Sequence, residues 1–269
     1  MRGLGEVAER LRRSTVQVRS LAGRGSGSGV IWSGDGLVLT NAHVARSADL
    51  EVELWDGRRL PARVLARDPR RDLASLRVAA ASLEAASAGN SASLRPGELV
   101  MAVGSPLGFA GAVSTGVIHS LGPIRGMGEV SWIRAQVRLA PGNSGGPLAN
   151  AEGRVIGINT AVVNGLGLAV PSDDAADFVR RGARPSLGVT LRPVSAGALI
   201  LDVEPDGAAA MASLKTGDLL LMSVDELYAA LDSGQPALRL RFMRGAPSGG
   251  RLPVRETVVR LGERVAEAA

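Results

Sequence analysis

Between Thr15 and Val170 the chain is a succession of short β-rich runs set off by Gly, Asp and Asn, a pattern that few folds accommodate. TVQVRSL, GVIW, LVLT, LEVEL and RRLPARVLA follow one another from Thr15 to about Val78, and DLASLRV completes that series. β-Branched and aliphatic side chains suit a pleated, half-buried surface, and strands this short close on themselves rather than leave open edges. A small antiparallel barrel is therefore expected over about residues 15–95. The Ala/Ser-biased stretch ASLEAASAGNSAS at 81–93 reads as a connector. After it LVMAVG, VSTGVIHSL, VSWIRAQVRL, RVIGINTAVV and LGLAV predict a second barrel of like size over about 96–172. The fold class expected is mainly β: two six-stranded antiparallel barrels, with a small α+β module behind them.

The flanks carry helical signals. Leu4, Val7, Ala8 and Leu11 recur at helical spacing, with Glu6 and Glu9 early and Arg10, Arg12 and Arg13 late, which suits the helix dipole and predicts a short amphipathic helix within 1–14. SDDAADFVRRG at 172–182 offers a Ser cap, an acidic first turn, a basic last turn and a terminal Gly, so a helix should close the second barrel. With it the two barrels span 15–183, and ARPS is the expected linker. Over 184–262, SLGVTL, ALILDV, DLLLM, ALRLRFM and LPVRETVVRL look like strands, and Ser223 with Glu226 forms a capping box ahead of Val224 and Leu227. Residues 263–269 are left as a tail.

Composition removes several classes of function. The absence of cysteine excludes a disulfide framework, a thiolate metal site and a cysteine nucleophile. Thirty arginines against the single Lys215 give a net charge of only +5 and are spread along the whole chain. A nucleic-acid surface would show a basic run with interleaved aromatics, and aromatics here are 3 % of residues, so no nucleic-acid partner is expected. No apolar run approaches the roughly 20 residues that cross a bilayer, and residues 1–20 lack the apolar core of a secretory signal. A chain without a membrane span, cytoplasmic as written, is the expectation; removal of an export segment would instead place it in the cell envelope.

The chemistry gathers around GNSGGP at 142–147. A serine hydroxyl is a poor nucleophile unless its geometry and its base are both fixed. Glycines at 142, 145 and 146 permit a tight turn whose backbone N–H groups converge on a developing oxyanion, with Gly142, Asn143 and Ser144 as the segment concerned. The chain has two histidines, His43 and His119. His43, in TNAHV directly after the run GLVLT, is the candidate base; His119 lies within a strand-like run and reads as a packed or surface residue. Asp72, at the head of DLASLRV, is the candidate acid that fixes the imidazole tautomer, whereas Asp35, Asp49, Asp56 and Asp68 read as turn residues.

GSGSGVIW, TNAHV, RDLASLRV, RPGELVMAVGSPLG, STGVIHSL, LAPGNSGGPLAN, GRVIGINTAV and LAVPS resemble, in order, the blocks of HtrA/Deg proteases over about residues 15–175. The order His, Asp, Ser is also that of trypsin-like double barrels. The resemblance implies a cleft between the barrels with His43 and Asp72 from one and Ser144 from the other, and the amides of Gly142 and Ser144 as the oxyanion hole. It implies an ATP-independent endopeptidase without metal or cofactor, acting on unfolded or misfolded proteins, as a homotrimer. LAGRGSGS between the first two strands is short, so assemblies larger than a trimer are not expected. A non-turnover binding or chaperone-like module with the same fold is the alternative.

Selectivity for basic residues in trypsin-like enzymes uses an aspartate six positions before the serine, where this chain has Arg138. An aliphatic residue on the acyl side of the cut is expected instead, with Arg138, Leu139 and the Asn159 to Val163 segment, including Thr160 and Ala161, forming the pocket. An acidic preference read by Arg138 is the lesser reading. SLGV, PDGAAAMASLKTGD and VDELYAALDSG resemble a bacterial PDZ domain, which implies capture of a peptide carboxylate by the amides around Leu187, Gly188 and Val189.

Overall fold

The computed structural model describes residues 3–21, 25–47, 49–105, 111–124, 127, 130–182, 185–205, 207–245 and 253–261. The expected tail and the first half of the expected linker fall outside those residues. Met1–Gly122 with Val130–Gly182 form one compact unit, and Pro123–Glu129 with Ala183–Ala269 form a second. No described helix is long and apolar enough to cross a membrane.

The first unit opens with helix α1 (Leu4–Arg13), which buries Val7 and Leu11 and carries Arg10, Arg12 and Arg13 in its last turn. Strands β1 (Thr15–Ser20), β2 (Ser26–Ser33), β3 (Leu37–Thr40), β4 (Leu50–Glu53), β5 (Arg59–Asp68) and β6 (Leu73–Val78) close into a barrel in the order β1-β2-β3-β6-β5-β4. Its interior is aliphatic: Val16, Val18, Ile31, Val38, Leu50, Val52 and Leu76 are almost wholly buried. Alternation along each strand sends these side chains inward, and close packing of branched residues substitutes for the missing aromatics.

Strands β7 (Leu99–Gly104), β8 (Ala112–Gly122), β9 (Trp132–Gln136), β10 (Pro147–Asn150), β11 (Val155–Val163) and β12 (Leu166–Pro171) form the second barrel, closed in the order β10-β11-β12-β9-β8-β7. Renumbered from its own first strand, this is the same path as the first barrel. The loop after β3 and the loop after β9 therefore occupy equivalent places. The sequence runs show five strands here; the sixth, β10, is the PLAN segment, whose proline and asparagine hide it from a propensity reading. Its pairing with β7 completes the closure.

Helix α2 (Ser172–Arg181) follows β12 and buries Ala175 and Phe178. Ser172 does not cap it. Pro171 holds the cap position without a side-chain hydrogen bond, and the Ser172 hydroxyl donates to the Gly89 carbonyl at 2.9 Å. A serine one residue inside the helix is better placed to bind the connector than its own backbone.

In the second unit β13 (Val189–Val194), β14 (Gly197–Val203), β15 (Leu219–Leu220), β16 (Ala237–Met243) and β17 (Val254–Arg260) form a five-stranded sheet in sequence order. Helix α3 (Ala208–Met211), a single turn within PDGAAAMASLKTGD, was not expected as a helix; α4 (Val224–Asp232) was. Leu227, Leu231, Ile200, Leu220 and Leu240 share its core. The capping box is complete: Ser223 Oγ accepts from Glu226 N at 3.1 Å, and Ser223 N donates to the Glu226 carboxylate at 2.7 Å. That backbone hydrogen bond, with the hydroxyl, holds the Glu226 carboxyl below its usual range. Ser223→Ala is expected to lower stability by about 1 kcal/mol, measured by urea unfolding followed through α4 helicity.

Candidate active site

Ser144 stands in the loop between β9 and β10, and His43 in the equivalent loop of the first barrel, between β3 and β4. Asp72 stands at the turn between β5 and β6, with φ +52, a left-handed conformation that aspartate tolerates better than most side chains. The turn is held from several sides. Asp68 Oδ1 accepts from the N–H groups of Arg70 and Arg71 at 3.1 and 3.2 Å, and Asn41 Nδ2 donates to the Asp72 carbonyl at 2.8 Å.

This places the Asp72 carboxylate under the imidazole. Its Oδ2 lies 2.8 Å from His43 Nδ1, and its Oδ1 accepts the His43 backbone N–H at 3.0 Å. Paired in this way, Nδ1 carries the proton and Nε2 is left as the acceptor. Thr160, on β11, adds a third bond through its hydroxyl to Asp72 Oδ2. The carbonyl of the same Thr160 accepts from Ser144 Oγ at 2.7 Å. His43, Asp72, Thr160 and Ser144 thus form one network reaching from the first barrel to the second. Among the described residues no hydrogen bond joins Ser144 Oγ to His43 Nε2; the hydroxyl rests on Thr160.

The serine turn depends on two glycines. Gly142 has φ +103 and Gly145 has φ +88, and a Cβ at 145 would collide with the Ser28 carbonyl and the Thr40 hydroxyl. Gly145 N donates to the Asn159 carbonyl at 2.8 Å, and Asn159 N to the Gly146 carbonyl at 2.9 Å, so β11 clamps the turn. The amide of Asn143, expected at the oxyanion site, donates instead to the Ala140 carbonyl at 3.0 Å. The amides of Gly142 and Ser144 have no acceptor among the described residues.

The expected pocket residues do not share one role. Arg138 and Ala161 are exposed, and Leu139 is half-buried against the second-barrel core. Asn159 is buried, and its Nδ2 donates to the Pro147 carbonyl at 2.9 Å, so it braces the serine turn rather than facing a ligand. The Thr160 side chain serves the acid. In the second unit Leu187 is buried in the core, while Gly188, at φ +70, donates its amide to Ser186 Oγ at 3.2 Å. Val189 begins β13. His119 is exposed on β8, beside Ser120. Among the described residues no group of three or more metal-ligating side chains gathers.

Asp68 is a turn residue as expected, its Oδ1 accepting the Arg70 and Arg71 N–H groups, but its side chain is also fully buried against Arg71, itself 1 % exposed, with Nε to Oδ2 at 2.7 Å. Arg71 Nη1 also donates to the Asp174 carbonyl at 3.1 Å and faces the Asp177 carboxylate at 3.4 Å, both on α2. The residue next to the acid is thereby tied to the closing helix.

Residues 27–158 match the model of the trypsin-like peptidase domain. A probable periplasmic serine endoprotease, DegP-like, of Halomonas elongata is 41 % identical over 82 % of this chain and 52 % of its own length. The chain carries an HtrA/DegP-like, trypsin-like serine protease domain. The putative serine protease HhoB of Synechocystis is 38 % identical to it over 74 % of the chain and 56 % of its own length, so the chain spans about half the length of these curated relatives. Among solved structures, the serine endoprotease of Yersinia pestis matches with a TM-score of 0.64 at 27 % identity, over 97 % of this chain and 98 % of that one. The HtrA-type protease AlgW with tripeptide matches with a TM-score of 0.66 at 26 % identity, over 97 % of each. The two six-stranded barrels of the protease domain are those of the trypsin-like fold.

Proposed function

We propose that this chain is an ATP-independent serine endopeptidase that cleaves unfolded or misfolded protein segments through an acyl-enzyme at Ser144. The observation that carries this reading is the unbroken His43–Asp72–Thr160–Ser144 network across the barrel interface. The Ser144 hydroxyl turns from the Thr160 carbonyl to His43 Nε2, which takes its proton as Oγ attacks the scissile carbonyl carbon. Asp72 steadies the imidazolium, and the amides of Gly142 and Ser144 receive the oxyanion. His43 then protonates the departing amine. A water molecule, deprotonated by the same imidazole, hydrolyses the ester.

Leu139, half-buried at the domain core, and the exposed Arg138 support an aliphatic preference on the acyl side of the cut and oppose a basic one. A peptide library profiled with the full chain is expected to show cleavage after Val, Ala, Ile or Leu. Cleavage after Lys or Arg would overturn this specificity, and enrichment of Asp or Glu would point to recognition by Arg138. The five-stranded second unit, with α4 beside it in sequence order, supports a PDZ-like module; peptide capture there requires the Gly188 amide to leave Ser186. A homotrimer engaged in protein quality control completes the proposal. The relatives named periplasmic favour the cell envelope as its compartment.

A further inference from the structure

Ser28, in β2, is fully buried and makes four hydrogen bonds among the described residues, two of them to the serine turn. Its N–H donates to the Ser144 carbonyl at 2.7 Å, and its carbonyl accepts from Thr40 Oγ1 at 2.6 Å. Its hydroxyl donates to the Gly142 carbonyl at 2.6 Å and accepts from Ser105 N at 2.8 Å. A hydroxyl has one proton, and an amide N–H can only donate. Since Ser105 N takes a lone pair of Oγ, the proton of Ser28 is committed to Gly142. The other end of the same peptide unit is also tied, because Asn143 N donates to Ala140. With both ends held, the plane of the Gly142–Asn143 peptide is set, and the Gly142 N–H, in the preceding peptide unit, is joined to that fixed plane through a single residue, Gly142 at φ +103.

We propose that Ser28 is a positioning residue for the oxyanion site, its buried hydroxyl on the first barrel holding Gly142 so that the Gly142 N–H faces the reacting carbonyl. This deepens the endopeptidase reading and rests on it. Glycine at 142 has no side chain to resist rotation, and its carbonyl, once deprived of the Ser28 proton, would be an unsatisfied acceptor free to turn for another donor. The flanking Gly27 and Gly29 allow a close backbone approach: a Cβ at 27 would lie 2.9 Å from the Ser144 carbonyl oxygen, and one at 29 would lie 3.1 Å from that of Leu39.

The test compares full-length wild type with Ser28→Ala and Ser28→Cys, using a fluorogenic peptide for kcat and KM and a peptidyl trifluoromethyl ketone as tetrahedral-adduct mimic. Loss of a donor at an oxyanion site costs about 100- to 1,000-fold, so misplacing one in Ser28→Ala should lower kcat about 10- to 100-fold, with KM near wild type. The ketone inhibition constant should rise by the same factor. Ser28→Cys, which keeps a weak donor, should fall between, and it carries the test if Ser28→Ala does not fold. A merely structural role would lower Tm and the folded fraction without separating ketone affinity from KM, and that result overturns the proposal. So does a competent wild type matched by both variants. A wild type that neither cleaves peptide nor binds the ketone overturns the endopeptidase reading, and this proposal with it.

Discussion

Ser144→Ala is expected to lower kcat by about a millionfold, leaving only the residual catalysis that oxyanion donors and substrate binding supply. The hydroxyl is the group of the network placed to become an acyl ester; His43 and Asp72 act only on its proton. Its own contribution to the fold is a single hydrogen bond, to Thr160, so the variant should unfold within about 1 kcal/mol of wild type. The measurement is digestion of an unfolded protein by both, with mass analysis after treatment with a fluorophosphonate. Wild type should carry one adduct on Ser144 and the variant none. A folded wild type that stays unlabelled and cuts nothing would make the chain a binding module instead.

Arg71→Ala should cost about 3–5 kcal/mol of stability, the range for breaking a buried ion pair from one side. The side chains of Asp68 and Arg71 are 0 % and 1 % exposed, so the substitution leaves a desolvated carboxylate without its guanidinium and opens space beside Phe178, whose ring centroid lies 5.9 Å from the guanidinium carbon. The replacement pair Asp68→Asn with Arg71→Met should recover much of the loss, since it removes the buried charge as well as its partner. Acid sensitivity gives a second readout. Burial is the largest influence on the Asp177 carboxyl and raises it, but the hydrogen bond from Arg180 and the charges of Arg181, Arg71 and Arg180 together hold it below its ordinary value. A carboxyl depressed in the folded state stabilises above the unfolded carboxylate range, near about pH 4, and loses that stabilisation as pH falls through its folded value. The gap between wild type and Arg71→Ala should therefore narrow on acidification, measured by urea unfolding at pH 7 and below pH 4. A constant gap would show that Arg71 does not act through the Asp177 carboxylate.

The barrels were legible because barrel strands alternate or run apolar over a few residues, and turns carry Gly and Asp where the chain reverses. GNSGGP and TNAHV were legible because their chemistry demands particular residues close together in sequence. What local pattern could not disclose were contacts made at long range. Arg71 reads as one arginine among many until α2, more than a hundred residues on, is seen to receive it. Asp68 before a proline is a turn by every local criterion, and only tertiary closure buries it. Thr160 and Asn159 were expected in a pocket on the strength of their position; the acid and the serine turn claim their side chains instead. Strand β10 escaped notice because closure of the barrel, rather than propensity, makes PLAN extended.

Thr160 touches the acid with its hydroxyl and the serine with its carbonyl, and these two groups belong to one residue, at the point where β11 shifts register against β12 between Asn159 and Ala161. The spacing between the two ends of the relay is consequently a covalent dimension, a few bonds long and common to both. A shift of β11 cannot retune the carboxylate without dragging the serine's resting place along, so sliding that one strand would idle or arm the pair as a single lever.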